Sequence, residues 1–304
     1  MQNILIIKHS ALGDFVLASG AMHSIRAHHP QARLTLLTTP LFAEMSRVMG
    51  IFDEVLIDAR PKFWQIGELK GLKRRLNSGY DRIYDLQVSD RTAFYHRFLL
   101  ADPKPEWVGH AKGCSHFVEK DMTKHAFQRH RGQLAAVGIQ DTPLPDLTGL
   151  TPDVADFDLP EKYALLVPGG APHRPQKRWP AEHYRWVSRW LADQEITPVL
   201  IGTKADAGPI DDITDGNGSV VDLSGKTSLL QLAGVAKGAE FALGNDTGPM
   251  HIVGATQTPC VVLFSNDSRP EQSAPLGDHI HVLQEDDLNN LSVELVTKTL
   301  GAFV

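Results

Sequence analysis

A carboxylate stands in the first turn of the chain, where Asp14 lies in the stretch KHSALGDFVL. The preceding run ILII predicts a buried strand, and DFVLASGAMHSIRAHH predicts the helix that follows it. In nucleotide-binding α/β folds this turn usually binds phosphate through glycine-rich backbone amides, and a fixed carboxylate would repel that anion. The segment also lacks G-x-G-x-x-G and G-x-x-x-x-G-K-[ST]. Asp14 therefore indicates a function other than dinucleotide or triphosphate binding, unless it only caps its helix.

A second candidate site begins after the apolar run AEFALG, in the stretch NDTGPMH. Asn245 or Asp246 could cap a following helix, and Pro249 suits its first turn because the missing N–H costs no hydrogen bond there. Capping alone does not account for Gly248, which weakens a helix start, or for His251 one turn later. The pattern favours a site where free backbone amides bind a phosphate.

A basic loop, GGAPHRPQKRWP, follows the apolar run YALLVP. Lys177 or Arg178 could neutralise charge that grows on a departing phosphate, an interaction that often contributes most to such catalysis. For either cation alone a structural role is equally reasonable, but the group favours a site. After TPVLIG, Asp206 could accept hydrogen bonds from ribose hydroxyls, although aspartate is also an ordinary helix cap.

Other patterns predict no metal site and no serine hydrolase. The D-x-D spacing of Asp156 and Asp158 falls in a Pro-rich and Asp-rich segment that is typical of a linker. The histidine pairs His279 with His281 and His125 with His130 have no acidic or cysteine partner at metal-ligand spacing. No G-x-S-x-G stretch is present.

The elements that must position these residues form two sets. Apolar, β-branched runs alternate with helical patterns before and after DTPLPDLTGLTPDVADFDLPEKY, which predicts two consecutive Rossmann-like α/β domains with parallel sheets. We place the boundary between residues 152 and 153, with a last helix at 286–302 that packs back on the N-terminal domain. Ligands in open α/β sheets bind beyond the carboxyl ends of the strands, where all the candidates lie.

Composition indicates an ordinary globular protein, since the 304 residues are 42% hydrophobic and 22% charged. The chain shows no apolar run of membrane-spanning length and no signal-peptide pattern, so we expect a cytoplasmic protein. Its two cysteines, Cys114 and Cys260, suit buried thiols in a reducing compartment. The net charge of −6 argues against a nucleic-acid partner.

The charge is divided unevenly between the two halves of the chain. Residues 1–150 contain 19 Lys and Arg against 15 Asp and Glu, whereas residues 151–304 contain 11 against 21. Much of the basic excess lies in RPKFWQIGELKGLKRR, residues 60–75. This segment could be a solvated amphipathic helix, or a docking surface for an anionic molecule or a membrane face.

The stretches KHSALGDFVL, PGGAPHRPQKRWPAEHY and GNDTGPMHIVGATQTPCVVLF together resemble glycosyltransferase family nine, the lipopolysaccharide heptosyltransferases. The resemblance implies the GT-B architecture, in which two Rossmann-like domains face a central cleft. It also implies inverting, metal-independent transfer of heptose from an ADP-sugar, without a cofactor, to an anionic lipid-linked oligosaccharide. Contact with the cytoplasmic face of the inner membrane is a further expectation.

The resemblance assigns roles to individual residues. Asp14 matches the general base and Lys177 the lysine that contacts the donor phosphates, and Asp206 matches an acidic residue that holds the ribose. The donor site predicted from the loops after the strands consists of Gly169, Gly170, Arg178, Asp206, Asp246, Thr247, Gly248 and His251. The acceptor site predicted in the N-terminal domain consists of Ser10, Gly13, Arg60, Lys62, Lys73 and Arg74.

The chain departs from the family pattern at two places, and two other functions remain open. Pro172 and His173 replace a hydroxyl pair before the loop lysine, and Ser265 and Asn266 stand where the family commonly has Gly and Pro. One alternative is a sugar-nucleotide epimerase on the same architecture, which would turn over its substrate without an acceptor. The other is a sugar-nucleotide or glycan-binding protein that does not catalyse transfer.

Overall fold

The computed structural model describes residues 1–171, 173–215, 218 and 220–304. The chain divides into two compact units, Met1–Leu144 (unit 1) and Pro145–Val304 (unit 2). Each unit is a parallel sheet of six strands, with helices between most successive strands. Within the described ranges, no helix combines the length and the apolar character needed to cross a membrane.

The sheet of unit 1 has the strand order β3-β2-β1-β4-β5-β6, which is the Rossmann order. Its central strand is the ILII run, whose residues 4–7 are buried on both faces as expected for a parallel sheet. The strands are β1 Asn3–Ile7, β2 Arg33–Thr38, β3 Glu54–Ile57, β4 Arg82–Asp85, β5 Glu106–Gly109 and β6 His116–Phe117.

The first predicted helix of unit 1 is divided in two at Ala18, which ends one helix and precedes the next. The helices are α1 Leu12–Leu17, α2 Ser19–His28, α3 Pro40–Val48, α4 Ile66–Leu76, α5 Asp90–Phe94 and α6 Ala126–Ala135. A π-helical turn, Tyr95–Leu99, continues α5. The helix expected near 125–137 is α6.

The sheet of unit 2 repeats the same order as β12-β11-β10-β7-β8-β9. Its strands are β7 Tyr163–Val167, β8 Thr197–Leu200, β9 Val221–Asp222, β10 Phe241–Asn245, β11 Cys260–Ser265 and β12 Ile280–Glu285. Its helices are α7 Ala181–Asp193, α8 Ala207–Thr214, α9 Leu229–Gly238, α10 Gly248–Ala255, α11 Pro270–Ser273 and α12 Val293–Leu300.

The boundary between the units lies earlier than the predicted position between residues 152 and 153. The reason is that the end of the linker bonds to unit 2: Leu147 N–H donates to the carbonyl of Ala255, and Lys237 donates to the carbonyl of Leu150. The last helix, predicted to pack against the N-terminal domain, belongs to unit 2, where Val296 and Leu300 enter the core.

Candidate functional site

Asp14 follows the central strand of unit 1 as the third residue of α1. The N-cap of this helix is Ala11, and among the described residues no side chain caps it. Asp14 is therefore not a capping residue, and its half-buried carboxylate lines a cavity of about 200 Å³ within unit 1. The arrangement leaves the carboxylate available to a ligand in that cavity.

The cavity lies at the carboxyl ends of β1 and β4, which are neighbours in the sheet. Strand order reverses between these two strands, and that is where ligands bind in open α/β sheets. Apart from Asp14 and Glu119, the charged side chains that line it are cations, namely Lys8, Lys120 and Arg129. The cavity therefore combines a base candidate with groups that suit an anionic ligand.

Lys8 is buried beneath Asp14, and its Nζ donates to the carbonyl of Leu86 at 3.1 Å. Burial lowers the pKa of Lys8 to about 8, although the carboxylates of Asp14 and Asp85 oppose the shift. The charge of Arg129 contributes to the lowering. Lys8 is thus a cation at neutral pH that loses its proton in mildly alkaline solution.

Two other buried groups beside the cavity have shifted pKa values. Burial raises the pKa of Asp85 to about 6, while hydrogen bonds, including those from the backbone of Val88 and Gln87, partly oppose the shift. Burial, followed by the charge of Lys8, lowers the pKa of His130 well below its usual value. His130 is therefore neutral near pH 7, and among the described residues its Nδ1 has no hydrogen-bond partner. A polar atom in this state suits a ligand or a water in the cavity.

A buried chain of polar groups lies under the turn that carries Asp14. His9 Nε2 lies 3.1 Å from Asp58 Oδ2, and the hydroxyl of Tyr95 donates to the same oxygen at 2.5 Å. Burial would raise the pKa of Asp58, but hydrogen bonds and the charge of His9 hold it below its usual value. Arg91 Nε donates to the Tyr95 hydroxyl at 2.5 Å, and its Nη2 donates to the carbonyl of Pro61 at 2.7 Å.

The predicted acceptor residues separate into two groups. Ser10 and Gly13 belong to the Asp14 turn, where Gln87 Oε1 accepts the backbone N–H groups of His9 at 2.8 Å and Ser10 at 3.0 Å. The other four predicted acceptor residues are exposed on segment 60–75: Arg60, Lys62, Lys73 and Arg74. None of these four is among the described residues that line the Asp14 cavity. The cations that do line the cavity, Lys8, Lys120 and Arg129, were not predicted as site residues from the sequence.

In unit 2, Lys177 and Asp246 form an ion pair with 2.6 Å between Nζ and Oδ2. Both side chains are mostly buried, and they come from the loop after β7 and from the end of β10, which are neighbouring strands. The carboxylate fixes the ammonium group at the carboxyl edge of the sheet. Asp246 is thus placed to position Lys177.

The helix after β10 begins differently from the prediction. Its N-cap is Thr247, so neither Asn245 nor Asp246 is the cap, and no side-chain hydrogen bond from the described residues closes the helix start. Gly248 and Pro249 form its first turn, as expected for a proline that needs no N–H partner. His251 is buried one turn later. This helix start is adjacent in sequence to the Asp246 carboxylate that binds Lys177.

Arg178 and Asp206 form a second ion pair, with 3.3 Å between Nη2 and Oδ1. Arg178 Nη2 also donates to the carbonyl of Gly170 at 2.5 Å. A side chain at Gly169 would press on the Asp206 carboxylate, with its Cβ 2.9 Å from the nearest atoms. Asp206 Oδ2 accepts from Thr203 N at 2.9 Å and Oγ1 at 2.7 Å. Asp206 is thus the last member of a capping box that begins at Thr203, and its side chain makes no cap hydrogen bond to the described residues of α8.

Comparison with known proteins identifies the family. The sequence pattern of glycosyltransferase family 9 (heptosyltransferase) matches residues 70–299, well over half of the chain. The chain belongs to glycosyltransferase family 9. It is a glycosyltransferase, and its two Rossmann-like domains confirm the predicted α/β fold of the GT-B class.

Relatives of this family 9 glycosyltransferase include lipopolysaccharide heptosyltransferase 2 of Escherichia coli K12, which is 25% identical over 92% of this chain and 87% of that protein. A family 9 glycosyltransferase from Veillonella parvula is similar in structure, with a TM-score of 0.87 and 21% identity. The match covers 99% of this chain and 97% of that chain. E. coli heptosyltransferase WaaC with ADP gives a TM-score of 0.82 at 22% identity, with 100% of each chain covered. A UDP-GlcNAc 2-epimerase from Methanocaldococcus jannaschii shares the fold, with a TM-score of 0.61 and 12% identity. The match covers 99% of this chain and 92% of that chain.

Two residues hold the loop that carries Lys177, and the sequence did not predict this role for either, since Asn245 was named only as a possible helix cap. Asn245 is fully buried; its Nδ2 donates to the carbonyl of Pro168 at 2.8 Å, and its Oδ1 accepts from Trp179 N at 3.1 Å. The indole of Trp179 is buried in the core of unit 2 and donates to the carbonyl of Leu291 at 3.0 Å. These contacts fix both ends of the loop that carries Lys177. A polar residue inside an otherwise apolar strand was the available signal for Asn245.

In this glycosyltransferase, no group of three or more His, Cys, Asp or Glu among the described residues could hold a metal ion. Of the departures from the family pattern, Pro172 lies outside the described residues, and His173 is exposed in the basic loop. Ser265 is the buried last residue of β11, and Asn266 follows it on the surface.

Proposed function

We propose that this glycosyltransferase moves heptose from ADP-heptose to a lipid-linked oligosaccharide of the lipopolysaccharide core, with inversion at the anomeric carbon. The observation that carries the proposal is the carboxylate of Asp14, which caps no helix and lines a cavity rich in cations. The names of the relatives support heptose and lipopolysaccharide, and the neighbour solved with ADP supports the nucleotide. The place of action would be the cytoplasmic face of the inner membrane, where such an acceptor is anchored.

Asp14 acts as the general base in this proposal. The acceptor hydroxyl oxygen forms a bond to the anomeric carbon while its proton passes to the Asp14 carboxylate. The bond from that carbon to the diphosphate oxygen breaks, and its electron pair leaves with ADP. Displacement from the opposite face inverts the configuration of the anomeric carbon.

The donor diphosphate is proposed to bind at Lys177 and the start of α10. Lys177 is positioned by Asp246 at 2.6 Å, and the backbone amides near Thr247 and Gly248 add the positive end of a helix. These groups would stabilise the charge that grows on ADP. Asp206 would keep Arg178 beside Gly170, and His251 would support the first turn of α10 from within.

The acceptor is proposed to enter the cavity at Asp14 with an anionic group directed to Lys8 and Arg129. A buried ammonium with a pKa near 8 gains most from an anion, because it lacks the water that would otherwise solvate it. Lys120 and the neutral His130 line the same cavity. Ser10 and Gly13 would shape its entrance, and the exposed Arg60, Lys62, Lys73 and Arg74 would attract the anionic acceptor at the membrane surface.

The test is heptose transfer from ADP-heptose to an extracted heptose-deficient lipid core. Asp14→Asn keeps the size of the side chain but cannot accept the proton, so we expect kcat to fall by about 10²-fold or more. Lys177→Ala should lower kcat/KM for the donor by a similar factor. Asp156→Asn on the exposed linker is the matched control and should leave transfer at the parental rate. Near-normal transfer by both site variants would refute the assignment.

The epimerase alternative has less support, because the curated relatives are heptosyltransferases and the epimerases match only in fold. It predicts conversion of the sugar nucleotide when no acceptor is present. The non-catalytic alternative predicts nucleotide binding without transfer to any lipid core. One assay with and without acceptor separates all three functions.

A further inference from the structure

Segment 60–75 of unit 1 exposes large apolar side chains next to each other. Phe63 and Trp64 are each 72% exposed, and Ile66 at the start of α4 is 62% exposed. Isolated exposed apolar residues are common, but a contiguous group of this size usually marks an interaction site.

The exposed aromatic rings of segment 60–75 are followed by rings on α5 and its π-helical turn. Phe63 lies 5.3 Å from Phe94, centroid to centroid, and Phe94 lies 5.2 Å from Phe98 on the π-helical turn, where Phe98 is 55% exposed. We call Phe63, Trp64, Phe94 and Phe98 the aromatic ridge. A cavity of about 210 Å³ adjoins the ridge, and it is lined by both apolar and charged side chains: Pro61, Phe63, Leu69, Asp90, Arg91, Phe94 and Tyr95. The ridge itself is a continuous apolar surface.

Cations flank the aromatic ridge. Lys62 Nζ lies 5.1 Å from the Trp64 ring centre, and the Arg97 guanidinium lies 5.0 Å from the Phe98 ring centre. On α4, Lys70 and Lys73 follow Ile66 at helical spacing and share its exposed face. Residues 60–75 contain six Lys or Arg and one Glu. The whole surface is both apolar and positively charged.

We propose that the aromatic ridge and its flanking cations dock on an anionic lipid bilayer. The rings would enter the interfacial layer, and the Lys and Arg side chains would contact lipid phosphates, as in other basic interfacial segments. A soluble anionic sugar would use the cations but would leave the phenylalanine rings exposed. A second copy of the chain would bring two sets of cations together, which opposes association. The proposal does not depend on which sugar the enzyme transfers.

Co-sedimentation of the full chain with vesicles tests the proposal without any sugar nucleotide or acceptor. We expect binding to vesicles of phosphatidylethanolamine with 30% phosphatidylglycerol, and at least tenfold weaker binding to phosphatidylcholine alone. Raising the salt to 0.5 M should weaken binding, because it screens the attraction between the cations and the lipids. Phe63→Ser/Trp64→Ser should reduce the affinity for the anionic vesicles at least tenfold.

Two further variants complete the experiment. Lys70→Glu/Lys73→Glu reverses charges on the surface of α4 and should also reduce binding at least tenfold, so the test does not depend on one variant folding. Trp186→Ser is the matched control, because Trp186 is 53% exposed on α7 with Arg189 5.6 Å from its ring centre but belongs to unit 2. This control should bind like the parent.

Several results would overturn the proposal. They are absence of vesicle binding by the parent, equal binding to neutral and anionic vesicles, or an equal loss in the Trp186 control. Release of the bound chain by a soluble anionic core oligosaccharide, together with unchanged vesicle binding by Phe63→Ser/Trp64→Ser, would assign the surface to the acceptor instead of the bilayer. Because no transfer is measured, these results are separate from the tests of Asp14 and Lys177.

Discussion

At the scale of single residues, burial determines the chemistry around Asp14. Lys8, Asp85 and His130 are all buried beside the cavity, and burial is the largest cause of the pKa shift of each one. Burial disfavours the charged form of every group, so it lowers the pKa of the bases and raises that of the acid. Lys8, which lines the cavity, and Asp85, whose carboxylate acts on Lys8, therefore have pKa values on either side of neutral pH.

Lys8 should control how the acceptor KM depends on pH. Since the pKa of Lys8 is about 8, the cation is present at pH 7 and mostly lost at pH 9, where binding of an anionic acceptor should weaken. Lys8→Met should raise the acceptor KM at pH 7 by about tenfold and remove this part of the pH dependence. Steady-state kinetics at both pH values measures the effect. The exposed Lys112→Met is the control, and an unchanged pH dependence in Lys8→Met would refute the role.

Asp85 should make the free energy of unfolding of unit 1 depend on pH. Its pKa in the folded protein is about 6, above the usual 3.8, so the native state holds the proton more tightly than the unfolded state. Protonated Asp85 therefore adds to the free energy of unfolding below pH 3.8, and this contribution is lost as the pH rises to about 6. Relative to the parent, Asp85→Asn should therefore gain up to ~3 kcal/mol in free energy of unfolding from pH 3.5 to pH 6.5. Urea unfolding across this range measures the gain, and the exposed Asp141→Asn should show none.

At the scale of elements, the turn between β1 and α1 depends on groups from other strands. His9 in this turn contacts Asp58 after β3, and Asp58 accepts from Tyr95 on the π-helical turn. Burial and the charge of Asp58 raise the pKa of Tyr95, so its hydroxyl stays a donor. The chain of contacts ends at Pro61, within the basic segment 60–75. These contacts hold the turn that carries Asp14.

Tyr95→Phe should disturb this turn while leaving the fold intact. Asp58 would lose a donor in a buried site, which costs about 1–3 kcal/mol of stability. Because the turn carries the proposed base, kcat should fall several-fold with little change in donor KM. Tyr163→Phe is the matched control, since it removes a buried hydrogen bond of 2.7 Å to the carbonyl of Val235 in unit 2. It should lose similar stability but retain kcat, and equal kcat losses would contradict a positioning role for Tyr95.

The sequence predicted the strands well because buried parallel strands are short apolar runs, and ILII is the central strand as expected. It predicted Asp14, Lys177 and Asp246 at strand ends, because the carboxyl edge of a parallel sheet gathers such residues. It did not single out Lys8, and it named Asn245 only as a possible helix cap, because both residues act through contacts to residues far away in the chain. The compact units divide at Leu144, before the predicted boundary, and the hydrogen bond of Leu147 to unit 2 is not visible in composition.

At the scale of the whole molecule, the two units repeat one strand order but present different groups at their switch points. Unit 1 presents the Asp14 carboxylate among Lys8, Lys120 and Arg129, whereas unit 2 presents Lys177, Arg178 and a helix start. Because the proposed donor site lies in unit 2, a nucleoside diphosphate should stabilise unit 2.

Nucleotide binding should appear as a rise in the unfolding temperature of unit 2. A ligand at 100 times its Kd stabilises the folded state by about 2.7 kcal/mol. We expect ADP to give a larger rise than UDP or GDP, and Lys177→Ala to abolish most of it. Differential scanning calorimetry on the full chain measures both transitions. Lys162→Ala, exposed before β7, is the control; an equal response to all three nucleotides would contradict ADP as the donor nucleotide.

The two units fasten their reactive loops in the same way. After β4, the carboxamide of Gln87 accepts backbone N–H groups from the turn after β1, and the carboxamide of Asn245 at the end of β10 bonds to the loop after β7. Carboxamides do not ionise, so the hydrogen bonds made by Gln87 and Asn245 do not depend on the protonation of those two side chains. The hydrogen bonds that these two carboxamides make should therefore persist at any pH at which the protein stays folded, and the pH dependence of the kinetics should come from ionisable groups such as Lys8 and Asp85.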